Sequence, residues 1–135
     1  KILPHTDLFL WDIKDTDESR HKANTGVSLQ PIISNLKTVD ELGAKTILRC
    51  ILIAGVNLNK EHLDGLAYIY NELRNCEGIE LIPYHTYGES KYAKLGIEHS
   101  LGIASAPANS DMKSANNYMY SKWQIKTISG IKYDE

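Results

Sequence analysis

At 135 residues and 15.2 kDa, the chain is long enough to bury one core and too short for two ordinary domains. A formal net charge of −2 and an isoelectric point near 6.2 supply none of the basic footprint that nucleic-acid binding needs. No apolar run reaches the roughly 18 residues of a membrane span, and no basic, apolar, small-residue leader is visible; a soluble cytoplasmic protein is expected. Cys50 and Cys76 form neither a close-spaced ligand set nor a disulfide framework and are expected to be reduced and structural. The chain opens just before a strand-like run without an initiating Met, and reads as a piece of something longer.

Asp7 to Lys14 is apolar, aromatic and branched, too short and too unstriped for a helix, and predicts the first strand. Asp15 to Asn24 reads as a charged loop leading to the turn-like Thr25-Gly26. Pro31 suits the first turn of a helix, Ile32, Ile33, Leu36, Val39 and Leu42 mark its apolar face, and Gly43 stops it. Thr46 to Ala54 predicts the second strand. Asn59 is an N-cap for a helix striped by Leu63, Leu66, Tyr70 and Leu73, and Gly78 leads into a third strand, Ile79 to His85. Downstream, a short helix is expected at Ser90–Leu95, a longer one at Asn109–Trp123 with Ala115, Met119 and Trp123 on one side, and an edge strand within Gln124–Lys132.

Strands alternating with helices argue for right-handed βαβ units and a parallel sheet. The expected organisation is a three-strand βα core over 1–86 and a loop-and-helix extension over 87–135. Three apolar strands leave two open edges, so the sheet is expected to continue into strands encoded earlier. An isolated fragment is then expected to dimerise.

The carboxyl edge of a parallel sheet is where α/β proteins build ligand sites. The first strand brings Asp12 and Lys14 there, the second carries Arg49, and the third ends at His85. Strand phase puts Leu8, Leu10, Asp12 and Lys14 on one face and Phe9, Trp11 and Ile13 on the other. By the same reasoning Ile47, Arg49, Ile51 and Ile53 share a face, as do Ile79, Leu81, Pro83 and His85, and all three sets are expected to point inward. Pro83 lacks an N–H, so the third strand should end or bulge there and aim His85 out of the sheet.

Each residue also has a plainer reading. Asp12 and Lys14 could be an ordinary surface ion pair, worth about 0–1 kcal/mol. Arg49 sits among apolar neighbours and must find a carboxylate or several carbonyls, from protein or ligand. A lone His85 is a weak signal, and His5, His21, His62 and His99 lack the helical spacing of metal ligands.

Five segments carry a resemblance: Thr6 to Lys14 (TDLFLWDIK), Thr25 to Ser28 (TGVS), Leu48 to Gly55 (LRCILIAG), Glu80 to Gly88 (ELIPYHTYG) and Lys91 to Gly96 (KYAKLG). In order and approximate spacing they resemble the C-terminal half of the glycyl radical enzyme activating enzymes, the pyruvate formate-lyase activating enzyme family. Leu29 stands where many relatives carry Asn, a departure that leaves no amide at that position. The resemblance implies a radical S-adenosylmethionine (SAM) enzyme whose partial, TIM-like (βα)6 barrel would take its last three strands from this chain, followed by a C-terminal helix. In such enzymes a four-iron four-sulfur cluster in a CxxxCxxC loop cleaves SAM, and the resulting radical abstracts hydrogen from a glycine of a partner glycyl radical enzyme. The electron donor would be of flavodoxin or ferredoxin type.

By motif, Asp12, Ile13 and Lys14 would contact SAM, Asp12 with a further part in binding a monovalent cation. His85 would contact the nucleoside, and Arg49 would be a second contact or support. CxxxCxxC is absent from this chain, so the fragment is expected to be inactive alone, to carry no cluster and to hold SAM weakly. Two other readings stand beside this one: a Schiff-base aldolase-like barrel using Lys14 with Asp12 as its acid, and a small doubly wound α/β module that binds a protein partner.

Overall fold

All three expected strands form and pair in parallel in the computed structural model, which describes residues 2–85, 94–96 and 106–128. After a 3₁₀ turn at Leu3–His5 come β1 (Phe9–Asp12), α1 (Glu18–Thr25), α2 (Gln30–Glu41), β2 (Thr46–Leu52), α3 (Lys60–Glu72), β3 (Cys76–Pro83) and α4 (Asn109–Trp123). The sheet order is β1-β2-β3. The architecture is α/β, with parallel strands joined through helices as such strands must be. No described helix is long and apolar enough to cross a membrane.

The central strand shows how the layers meet. Leu48, Cys50 and Leu52 alternate on one face of β2 and are fully buried, together with Ile13, Ile79 and Leu81 from the strands on either side. Leu36 of α2, Leu63, Leu66 and Ala67 of α3, and Ala115 and Met119 of α4 complete this one core. The apolar stripes read from the sequence therefore do the packing expected of them, except that Leu42 lies just past the end of α2 and is exposed. The opposite face is wetter: Leu10 is 41% exposed, and Arg49, Ile51 and Ile82 are half-buried.

Strand ends differ from the sequence reading for local reasons. β2 stops at Leu52 rather than Ala54 because the side-chain oxygen of Asn57 accepts the Ile53 N–H at 2.7 Å, while the Ile53 carbonyl accepts the N–H groups of Val56, Asn57 and Leu58. β3 begins earlier, at Cys76, with a register irregularity opposite Thr46–Leu48, and ends at Pro83 as expected. That register corrects the phase of the third strand. Arg49 is opposite Glu80, whereas Ile79 and Leu81 lie beside Leu48 and Cys50 in the core. The inward set containing Ile79, Leu81 and Pro83 thus belongs to the helix face.

The expected loop at Asp15–Asn24 is largely α1. It has no apolar stripe to reveal it, but Asp17 caps it by accepting the Arg20 N–H at 2.7 Å, and Gly26 ends it at φ 78°, where glycine carries no Cβ penalty. Leu29 is buried, and its N–H donates to Glu18 at 2.9 Å, tying the start of α2 to α1. The Asn59 cap and the Asn109–Trp123 helix fall where the sequence put them. Of the expected edge strand, the described part contributes one parallel bridge, Ile128 to Glu80, with the Ile128 N–H on the Ile79 carbonyl at 2.8 Å. Ser90–Leu95 lies mostly outside the described residues, as does the end of that expected strand.

Candidate functional site

Asp12 closes β1 in register with Arg49, which is in turn in register with Glu80 of β3, so three charges of alternating sign cross the sheet in one row. Asp12 accepts from the Lys14 ammonium at 2.8 Å, and both side chains are about half exposed, 50% and 46%. Arg49 donates through Nε to Glu80 at 3.0 Å, with side-chain exposures of 26% and 4%. Glu80 is the acidic partner that burial of Arg49 demanded. Because this bond uses Nε, the two Nη groups keep their donors, and they have no other partner among the described residues. Ile13 is fully buried and turned toward the helices, with its N–H on the Arg49 carbonyl at 2.9 Å, so it can meet a ligand only through its backbone. His85 is exposed, two residues beyond the end of β3 and farther along the carboxyl edge than the charged row.

Beneath this row, the chain leaving β1 is held by a set of polar groups that the sequence did not single out. Asn57, 1% exposed, donates to the carbonyls of Lys14 at 3.0 Å and Ile51 at 2.9 Å. Asp15 is buried and accepts Nε and Nη2 of Arg20, both at 3.0 Å, and the Asp17 N–H at 2.9 Å. Burial alone would raise its carboxyl, but those hydrogen bonds and the neighbouring charges hold it below the usual value.

His62 projects from the first turn of α3 into the same region. Its Nδ1 accepts the Thr16 N–H at 3.1 Å, leaving the proton on Nε2, which lies 2.9 Å from Cys50 Sγ. Burial pushes the imidazole down to about 4 despite the nearby Asp15 carboxylate. Burial likewise pushes the Cys50 thiol up, so it is an enclosed thiol and not a poised nucleophile. Thr16 packs so tightly on α3 that a Cβ at Gly65 would stand 2.4 Å from its hydroxyl oxygen. On the outer side of α3, Asp64 gathers donors from α4: Tyr118 at 2.9 Å, Lys122 at 2.8 Å and Trp123 at 2.7 Å. That cluster staples two helices and stands apart from the strand ends.

The structure thus brings Asp12, Lys14 and Arg49 together, turns the Ile13 side chain away and leaves His85 at the same edge. Glu80 was legible as the single acid of the expected strand Ile79–His85, had the register been known. Asn57 had only the signal of an amide after a Gly-Val turn, and His62 that of a polar residue beside an apolar stripe.

In fold, the chain shares its architecture with two solved structures. A domain of pyruvate-formate lyase-activating enzyme from Bacteroides vulgatus ATCC 8482 matches with a TM-score of 0.73 at 22% identity, over 96% of this chain and 70% of that one. A radical SAM methyltransferase from Sphaerobacter thermophilus matches with a TM-score of 0.65 at 14% identity, over 90% of this chain and 33% of that one. In sequence, the chain is 36% identical over 119 residues to the pyruvate formate-lyase-activating enzyme of Clostridium pasteurianum, covering 88% of this chain and 50% of the relative. It is 40% identical over 114 residues to the choline trimethylamine-lyase activating enzyme of Oleidesulfovibrio alaskensis, covering 82% and 36%. No family model matches it. These relatives support a likeness to the glycyl radical enzyme activating enzymes, and the chain spans half or less of the length of those it matches.

Proposed function

We propose that this chain is the C-terminal half-barrel of a glycyl radical enzyme activase, with Asp12, Lys14, Arg49 and His85 forming its share of the SAM site. The observation that carries the reading is the Asp12–Lys14 pair at the end of β1, with Asp12 in register with Arg49 of the adjacent parallel strand β2, on the face away from the helices. A carboxylate, an ammonium and a guanidinium whose Nη donors have no partner among the described residues suit the amino and carboxylate groups of SAM, and an exposed imidazole suits a nucleoside. When bound, SAM supplies the hydrogen-abstraction chemistry, while these residues orient it. Asp12 also offers its carboxylate to a monovalent cation. The Ile13 contribution is a backbone contact.

The described residues do not fit an iron–sulfur cluster. Such a cluster takes three or more thiolates; Cys50 is enclosed against His62, and Cys76 Sγ faces the Gly78 carbonyl at 3.4 Å. The thiolates would come from other parts of a whole activase, and the 135 residues alone would be inactive. The protein substrate would be a glycyl radical enzyme, the reductant a flavodoxin- or ferredoxin-type donor, and the compartment the cytoplasm. The outer edge of β1 is where the missing strands would join, or where a second copy would pair with an isolated fragment. A Schiff-base lysine is less well supported, since Lys14 is half exposed and salt-bridged and lacks an apolar enclosure.

Calorimetric titration of the anaerobically purified whole protein with SAM tests the reading. Lys14→Ala and Arg49→Ala should each weaken binding about tenfold, the loss of roughly one charge-assisted contact. Unchanged affinity in both variants would sink it.

A further inference from the structure

We propose that Asn57 is a positioning residue for SAM binding, setting the Asp12–Lys14 pair through the Lys14 main chain. The inference deepens the reading above and rests on it. After Ile13 donates to the Arg49 carbonyl, β1 makes no further ladder bond to β2. The next anchor of the departing chain is the Lys14 carbonyl, and its bond comes from Asn57 Nδ2.

That amide is fully used. Its two N–H groups reach Lys14 and Ile51, its oxygen takes the Ile53 N–H, and it has almost no contact with solvent. One side chain therefore fixes the exit of β1 to the exit of β2, the two strands that carry Lys14 and Arg49. Only a group with two donors and an acceptor in one plane can do this. Aspartate keeps the shape but turns an oxygen toward two carbonyl oxygens. Lys14 and Asp12 are half exposed and paired with each other, so the backbone that carries both sets where their charges stand, and small displacements at such a site cost affinity.

The test compares SAM affinity in the whole protein for wild type, Lys14→Ala, Asn57→Asp and a control, Ala115→Gly in α4, at temperatures giving equal margins below each melting point. Asn57→Asp should weaken SAM binding about tenfold and shift the Lys14 and Asp15 amide resonances, with the control within twofold of wild type and those resonances unmoved. Asn57→Ala, which removes the ties without adding a charge, should also weaken binding and serves if the aspartate variant does not fold. If Lys14→Ala weakens binding while the Asn57 variants match the control, the inference alone falls. If Lys14→Ala also leaves affinity unchanged, the SAM reading fails and takes the inference with it.

Discussion

On the helix side of the sheet, Leu48, Cys50 and Leu52 are sealed, and the polar groups at the strand exits are matched by one another: Asn57 to three backbone groups, Asp15 to Arg20, His62 to Thr16 and Cys50. On the other side Leu10 is 41% exposed, Asp12 and Lys14 stand half in water, and the Arg49 Nη groups have no partner among the described residues. The first face is built for stability, since a buried polar group is costly to leave unpaired, and Thr46 Oγ1 is an exception among the described groups. The second retains unspent hydrogen-bonding capacity beside apolar side chains, the combination that ligand sites use.

Three substitutions or conditions sharpen that contrast. Leu48→Ala removes a fully buried side chain from the middle of the core and should lower unfolding free energy by about 3–4 kcal/mol in urea titrations; a loss below about 1 kcal/mol would mean the two faces are not so different. Acid should act next. His62 titrates at about 4 in the folded chain and near 6.5 when unfolded, so its contribution is complete above pH 6.5 and is lost as pH falls toward 4, where the unfolded chain binds the extra proton. The urea midpoint should be flat between pH 8 and 7 and fall as the pH is lowered further, with about 3 kcal/mol at stake; His62→Gln should flatten the slope. The smallest effect belongs to the open face: Leu10→Ser should change stability by no more than about 0.5 kcal/mol, and a core-sized loss would show that Leu10 is covered in solution.

The elements that sequence predicted well are those whose stability comes from an apolar stripe. Asn59 with Leu63 and Leu66 signalled α3, and Ala115 with Met119 signalled α4, because periodic burial leaves a periodic record. α1 left none: its residues are held by Asp17, by Arg20 on Asp15 and by the His21 contact with the Val27 carbonyl, interactions between polar residues that also populate loops. Asp12 and Lys14 were legible as strand-end charges, and Arg49 as a charge within an apolar strand. Their relation to Glu80 was not, because it depends on a register irregularity near Cys76 that shifts which side chains of β3 face Arg49. A period-2 pattern fixes alternation but not its phase across a bulge.

Ile128 bridges to β3 across about fifty residues of chain, and its side chain lies where a Cβ at Gly78 would collide with it, 2.8 Å from Cδ1. During synthesis β3 therefore emerges before the segment that covers its outer edge. At roughly 5–20 residues per second, that edge stays bare for several seconds on each ribosome. The glycine that keeps room for Ile128 thus marks an interval in the life of the nascent chain when its strand can find a stranger before it finds its own tail.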